Sequence, residues 1–415
     1  MDHLDALIGS LSRRLLLAVI SILSASLGAV TLDVSESPRS NLVLSLRAIL
    51  SAQKSIVMNA YELTSYDVAD ALIQKINEGV RVELLQEGQP VGGLVPEAKD
   101  IQKKIAKAME ANSGSQLHGY WVMTSETPKG KRRFRYNHAK YIVIDEKGVM
   151  VGSENYSPSG QPEPGSTGGT RGWQTFIYDE QMSRNFLKVF RKDINTSHGD
   201  LVTLYSPKIP LPKILGRVAD WIESMQNVAT RIENRFSWML SDEPKTLDAD
   251  NVEFLTSPES SMVGLMAFIE SAQETLDVEL MSFNPMWGKT GEVSPLFNAI
   301  VAAAKRGVKI RVLVNDSTVF GGDNDPEMKL LAMLENVAKE NHLPIQAAIA
   351  DLPKMKVKYI HNKGALADGY KTLISSINWN QNSVENNRET AISVDSRSIN
   401  EHYQSIFNWD WQASH

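Results

Sequence analysis

Strand and helix signals that alternate along the chain predict an α/β protein of two similar α-β-α lobes. Three observations carry that expectation. The chain has 415 residues, more than one hydrophobic core usually organises. The same order of elements recurs in each half, and one polar motif occurs twice. Composition is that of an ordinary globular chain, 42% hydrophobic and 22% charged, and a net charge of −6 gives no general affinity for nucleic acid. The sequence holds no cysteine, which excludes disulfides, thiolate catalysis, Cys-based zinc sites and a lipid-modified N-terminal cysteine.

At the N-terminus Arg13 and Arg14 precede the apolar run Leu15–Leu23 and a small-residue zone, Ser24–Ala29. A basic start, a short apolar run and small residues are the pattern of a secretory signal peptide, and the run falls short of the roughly 18 apolar residues of a spanning helix. An uncleaved anchor or a buried first helix are the alternatives, and Asp2 and Asp5 count against export. Residues 1–29 are thus expected to be a signal peptide, the mature chain to be exported (secreted or periplasmic), and no later stretch to span a membrane.

Leu42, Leu46, Ile49 and Leu50 fall at helical spacing and predict a helix over Asn41–Gln53. A strand follows over Ser55–Leu63, then a helix over Val68–Asn77 that stops at Gly79, then a strand over Val80–Leu85. The order returns as a helix over Met262–Gln273, a strand over Thr275–Phe283, a helix over Leu296–Lys305 and a strand over Val308–Val314. Landmarks keep a nearly constant offset: 220 residues from Ala52 to Ala272, 228 from Gly79 to Gly307 and 223 from His138 to His361. Such an offset marks the duplication of a whole lobe. The expected division is 30–206 for the first lobe, 207–250 for a helical connector and 251–415 for the second lobe. Within the connector, apolar residues from Leu215 to Met239 recur every three or four positions; this is a helix packed across both lobes, or a membrane-surface element anchored by Trp221 and Trp238. Ser241–Asp250 reads as an acidic loop.

The repeated motif is H-x-K-x-x-x-x-D. In the first half it is His138, Lys140 and Asp145, followed by Gly152, Ser153 and Asn155; in the second it is His361, Lys363 and Asp368, followed by Ser375, Ser376 and Asn378. The residues after each Lys favour a strand, where side chains two apart share a face. Asp145–Gly148 and Asp368–Gly369 carry turn chemistry, so each strand folds back and returns its Asn to the end that holds the His and Lys. Asp145 and Asp368 sit at the far turn and are assigned to holding the hairpin. Two histidines, two lysines and two asparagines around one cleft suit a phosphodiester: cations and amides bind the non-bridging oxygens, one imidazole attacks phosphorus and the other protonates the leaving alkoxide. This chemistry calls for no metal and no cofactor. Neither motif has a second ligand at zinc spacing, and His3, His118, His198, His342, His402 and His415 are read as ordinary histidines.

With both motifs intact the chain resembles the phospholipase D superfamily from about Asn41 to the C-terminus. The resemblance implies a pseudo-twofold pair of lobes with the active site between them. It implies a covalent phosphohistidine, His138 as nucleophile, His361 as general acid, and phosphate held by Lys140, Lys363, Asn155 and Asn378. It also implies an acid after each motif that orients a histidine. Glu389 fits in the second lobe; in the first, Gln174 stands there, a neutral group expected to lower the basicity of its histidine partner. Ser375 replaces the usual glycine. Ser153 and Ser376 are counted as supporting residues.

Basic runs Lys129–Arg135 and Lys354–Lys358 lead into the motifs, either as solvated faces or as a positive rim. The Gly/Pro/Ser-rich stretch Ser157–Gly172 is expected to be an active-site flap, with Pro285–Ser294 as the opposite lip. The expected function is an exported phosphodiesterase of the phospholipase D type, hydrolysing glycerophospholipid head groups to phosphatidic acid. Its partner is a phospholipid at a membrane surface, with no stable nucleic-acid partner. Transphosphatidylation of the cardiolipin-synthase kind and a secreted nuclease are the rivals.

Overall fold

A computed structural model describes residues 29–113, 117–127, 129–166, 168–206, 244–322 and 325–415. The apolar run Leu15–Leu23 and the amphipathic stretch Lys213–Leu240 lie outside the described residues. The first lobe runs β1 (Val30–Ser37), α1 (Asn41–Ser51), β2 (Ser55–Ala60), α2 (Tyr66–Asn77), β3 (Arg81–Glu87), α3 (Pro96–Ala111), β4 (Gly119–Met123), β5 (Tyr141–Ile144), β6 (Gly148–Gly152), β7 (Gly172–Ile177), α4 (Glu180–Asp193) and β8 (Leu201–Tyr205). The end of the expected connector forms β9 (Lys245–Ala249), and after it come β10 (Asn251–Ser257), α5 (Ser261–Ser271), β11 (Thr275–Leu280), the two-residue strands β12 (Met286–Trp287) and β13 (Glu292–Val293), α6 (Pro295–Lys305), β14 (Lys309–Val314), α7 (Asp325–Asn341), β15 (Ile345–Ile349), α8 (Leu352–Met355), β16 (Lys363–Ala367), β17 (Lys371–Ser375), β18 (Glu389–Asp395) and α9 (Arg397–Ser414).

The duplication is visible in the strand order. The first sheet is β8-β4-β3-β2-β5-β6-β7-β1-β9 and the second is β10-β18-β17-β16-β11-β14-β15. Removing β8 and β9, which are edge strands, leaves two sheets of identical topology read in opposite directions. In each, the parallel strands (β2, β3, β4 and β11, β14, β15) lie on one side and the antiparallel strands on the other. β9 corrects the expected loop over Ser241–Asp250: Lys245–Ala249 pairs antiparallel with β1, because the free edge of β1 offers its backbone groups a partner.

Local chemistry accounts for the helix starts. Ser65, Asp179 and Ser396 cap α2, α4 and α9 by accepting hydrogen bonds from Val68, Met182 and Ile399 N–H. Helices α1, α2 and α3 cover the outer face of the first sheet around Leu46, Ile49, Leu72 and Ile105, and α5 to α7 cover that of the second around Leu265, Ile300 and Leu334. The inner faces meet in a third core that draws on both lobes, with α4 and α9 between the sheets. There Trp173 stacks on Tyr403 at 4.6 Å, and Phe186 lies 4.4 Å from Phe254. The fully buried Trp173, Tyr403 and Phe186 contribute roughly 2–3 kcal/mol each, so the lobes pack as halves of one core.

Candidate active site

Both motif histidines sit just before a strand, β5 or β16, in extended backbone that the opposite lobe holds in place. His138 N–H donates to the Arg388 carbonyl at 2.8 Å, and His361 N–H donates to the Arg171 carbonyl at 2.8 Å. Lys140 and Lys363 each turn back to donate to the carbonyl two residues earlier, His138 O and His361 O, both at 2.5 Å. The Lys140 ammonium also lies 4.9 Å above the Tyr61 ring, whose edge meets His138 at 4.5 Å. At the matching place Lys363 meets Met281 Sδ at 3.6 Å.

The two lysines are 1% and 0% exposed. Burial pushes Lys140 down to about 8 and Lys363 well below its usual value. His138 is pushed down to about 4 by burial, against the pull of Glu389. Burial lowers His361 furthest, helped by Lys363, Lys140 and His138. His361 feels the charge of Lys363, Lys140 and His138, and His138 that of Lys140 and Lys363, so the four form one electrostatic cluster. Two buried ammonium groups and two imidazoles together offer positive charge and donors to an anionic group.

Carboxylates complete it. Glu389 Oε2 lies 2.8 Å from His138 Nδ1 and also accepts from Ser376 Oγ at 2.6 Å. Although burial raises it, His138, Lys140 and Ser376 together keep the Glu389 carboxyl below its ordinary value. In the first lobe the expected acid position is corrected. Gln174 is buried on the other face, where its Nε2 donates to Ser45 Oγ at 3.0 Å and to the Asn41 carbonyl at 3.2 Å, and it makes no hydrogen bond to a histidine. The carboxylate beside His361 is Glu154, with Oε2 at 3.0 Å from Nδ1. Glu154 was legible in one respect: it is the variable residue of the G-S-x-N segment, and it is acidic.

Asn155 donates from Nδ2 to Glu62 Oε2 at 3.2 Å. Glu62, unmarked in the sequence, is raised by burial, against Lys140 and Asn155. Asn378 follows β17 as Asn155 follows β6, and its Oδ1 has no partner among the described residues. Ser153 Oγ accepts from Trp173 N–H at 3.1 Å, tying the β6 end to β7.

Asp145 and Asp368 lie at the far turns. Asp145 accepts from Gln53, Lys54 and Ser55 N–H at 2.9, 2.7 and 2.8 Å. Asp368 does the same with Gln273, Glu274 and Thr275 at 2.9, 2.8 and 2.9 Å. These three N–H groups hold Asp145 below the usual carboxylate value, outweighing the burial that raises it. A depressed folded-state pKa gives stability that is present above the unfolded value and lost as pH falls through the folded one. Asp145→Ala is therefore expected to cost about 1–2 kcal/mol at pH 7, with the difference shrinking at acid pH. Denaturant midpoints of the two proteins, followed downward from pH 7, check it.

The stretch Ser157–Gly172 is no free flap. Gly169 O accepts from Lys358 N–H and Arg171 N–H donates to Tyr359 O, both at 2.9 Å, so its end is stitched to the strand that leads to His361. Arg171 continues into a buried latch, with Nε and Nη2 on Asp410 at 2.6 and 3.0 Å and Nη1 on the Ser37 carbonyl at 2.8 Å. Arg388 mirrors it on Asp193 at 2.7 and 3.0 Å and on the Ser257 carbonyl at 2.7 Å. Both pairs cross between lobes. The basic run before the first motif is partly structural as well: Arg132 pairs with Glu87, and Arg133 with Asp200 at 2.8 Å. Lys354, Lys356 and Lys358 are exposed.

Beside His138 a cavity of 480 Å³ opens between Tyr61, Glu62, Val91, Val95, Ser157 and Lys358. Two apolar residues stand out on its rim, Val91 and Val95, 74% and 45% exposed. On the second lobe Val319 and Phe320, after β14, are 46% and 54% exposed, and Phe320 packs on Tyr359 at 5.1 Å, next to His361. Among the described residues no helix is long and apolar enough to cross a membrane.

Comparison with known proteins agrees with this geometry. The family model described as "Cardiolipin synthase, PLD-like domain" matches residues 45–194 and 265–411, one copy per lobe. The mitochondrial cardiolipin hydrolase of Xenopus tropicalis is 25% identical over 159 residues, 38% of this chain and 64% of the relative. Cardiolipin synthase C of Escherichia coli is 32% identical over 114 residues, 26% of this chain and 23% of that protein. The chain thus spans less than two thirds of either relative. The crystal structure of phosphatidylserine synthase from Haemophilus influenzae Rd KW20 superposes with a TM-score of 0.63 at 12% identity, covering 94% of this chain and 89% of the other, which is a likeness of fold.

Proposed function

This chain belongs to the phospholipase D superfamily, and from that premise we propose that it cleaves the head-group phosphodiester of glycerophospholipids through a phosphohistidine. The observation that carries the reading is the pair of histidine–carboxylate contacts, each made across the lobes, around two buried lysines. Lys140 and Lys363, with the amides of Asn155 and Asn378, bind the non-bridging oxygens. His138, its Nδ1 held by Glu389, attacks phosphorus through Nε2. The P–O bond to the head group breaks, and His361 gives its proton to the departing alkoxide. His361 then takes a proton from water, whose oxygen attacks phosphorus, the P–N bond breaks, and phosphatidic acid leaves with His138 free again.

The lipid class is supported by the exposed Val91 and Val95 that line the cavity and by the exposed Phe320 packed on Tyr359 next to His361, apolar surface that suits acyl chains. The names of the curated relatives, a cardiolipin hydrolase and a cardiolipin synthase, point the same way. A second reading is transphosphatidylation: the 480 Å³ cavity beside His138 has room for an alcohol in place of water. Export by the N-terminal segment belongs to the proposal; fractionation that leaves the chain uncleaved in the cytoplasm removes it.

The test offers the full chain, in EDTA, vesicles of phosphatidylcholine or phosphatidylglycerol, with and without glycerol, and single-stranded DNA. Phosphatidic acid as the main product is the expected outcome, and its absence alongside DNA cleavage overturns the lipid reading. A phosphatidyl group transferred to glycerol in preference to water favours the synthase reading.

A further inference from the structure

We infer that Glu154 is the positioning carboxylate of His361, standing in for an acid that the first lobe lacks at Gly172. Each catalytic histidine is thereby oriented by the opposite lobe. The inference rests on the proposed phosphodiesterase chemistry and adds to it a residue outside the repeated motif.

Register identifies the missing acid. Glu389 pairs with Ser257 at the start of β18, and Gly172 pairs with Ser37 at the start of β7. A constant spacing of 217 residues separates Thr170, Arg171, Gly172 and Asp193 from Asn387, Arg388, Glu389 and Asp410. Gly172 is therefore the structural counterpart of Glu389, two residues before Gln174. It has no side chain, and Glu154 fills the space. A Cβ on residue 172 would come within 2.2 Å of Glu154 Oε1 and 2.6 Å of its Cδ and Cγ. Gly160 leaves room on another side, where a Cβ would lie 2.9 Å from Glu154 Oε2. In the second lobe the counterpart of Glu154 is Ile377, so that lobe keeps its acid on the strand and an apolar residue in the loop.

The two carboxylates reach their places by different routes and are held alike. Glu389 Oε1 accepts from Asn387 Nδ2 at 3.0 Å while Oε2 faces His138 Nδ1. Glu154 Oε1 accepts from Thr170 Oγ1 at 2.7 Å while Oε2 faces His361 Nδ1. Thr170 and Asn387 are counterparts. The contacts differ in one way: His138 and Glu389 are aligned for a hydrogen bond, whereas Glu154 is at ion-pair distance from a His361 Nδ1 that makes no aligned one.

A carboxylate on Nδ1 keeps a proton there and turns Nε2 toward the substrate. Burial pushes Glu154 up to about 8, against the lowering effect of Thr170, Lys363, Lys140 and Arg171, while His361 is pushed down. Tyr359, which also faces Glu154, stays protonated throughout this range because burial raises it. The raised Glu154 carboxyl beside the lowered His361 keeps a proton at the pair, the proton the leaving alkoxide requires.

The experiment compares Glu154→Gln, Glu154→Ala and the double variant E154A/G172E. E154A is expected to lower kcat roughly 10²- to 10³-fold, and E154Q to move the alkaline limb of the pH–rate profile at least about one unit toward acid. E154A/G172E returns the acid by the second lobe's route and is expected to recover at least about tenfold of the loss. A rate loss equal at all pH values, with no recovery in the double variant, overturns the inference. Nitrogen-15 NMR of the His361 imidazole reads the contact without substrate and without the double variant. If E154Q leaves its tautomer and titration unchanged, the inference falls. A shifted imidazole in a protein inert toward every phosphodiester leaves the pairing standing and overturns the proposed function instead.

Discussion

His138→Ala is expected to lose about 10⁴-fold or more of kcat, because a nucleophile and its adjacent base act as a unit that no neighbour replaces. His361→Ala separates the roles. With a p-nitrophenyl phosphodiester the leaving group needs no proton, so H361A is expected to show a burst close to one nitrophenolate per chain and then stall at the phosphohistidine. H138A is expected to show no burst. Nothing on the acid side of neutrality should impair the wild-type nucleophile until His138 protonates near its lowered value of about 4. Above about pH 8 the loss of charge on Lys140 weakens the hold on the anionic substrate, and kcat/KM is expected to fall. A burst retained in H138A and lost in H361A reverses the two assignments.

Arg388→Ala is expected to destabilise the chain by about 3–5 kcal/mol, the largest effect away from the chemistry. Arg388 is 0% exposed and holds Asp193 with two hydrogen bonds, Glu259 with a third at 2.6 Å, and the Ser257 carbonyl. Removing it strands a buried carboxylate, Asp193, which burial already raises. Apolar replacement of both buried partners, R388M/D193L, removes the stranded Asp193 while Glu259 keeps Lys192 at 2.8 Å, and is expected to recover most of the loss. Urea midpoints measure both. A loss under about 1 kcal/mol in R388A shows that the Arg388 latch is not needed to join the lobes, leaving that to the aromatic core and the Arg171–Asp410 pair. The same variant bears on activity, since the Arg388 carbonyl accepts the His138 N–H and Glu389 follows it.

Much of the fold was legible because its signals are local. The helix over 41–51, the strands after residues 54 and 274 and the hairpins at Asp145 and Asp368 follow from periodicity and turn chemistry within a dozen residues. Strands β1 and β10 open each lobe; Val30, Leu32 and Val34 alternate with polar residues in β1, as Val252 and Phe254 do in β10, a signal the sequence reading passed over. β9 was read as loop because its exposed pattern is set by one neighbour, β1, more than 200 residues earlier. Gln174 was given the acid's place by counting along the chain, whereas the strand register puts Gly172 there.

By itself the sequence determined the chemistry on offer: two histidines, two lysines and two asparagines in duplicate, with an aspartate at each turn, since short-range spacing decides which face a side chain takes. Only the tertiary structure decided which carboxylate serves which histidine. The Glu389–His138 contact joins residues 251 positions apart, and its counterpart at Glu154 crosses in the opposite direction. Such contacts depend on how two sheets pack and on a space that a glycine leaves open, neither of which has a signature along the chain.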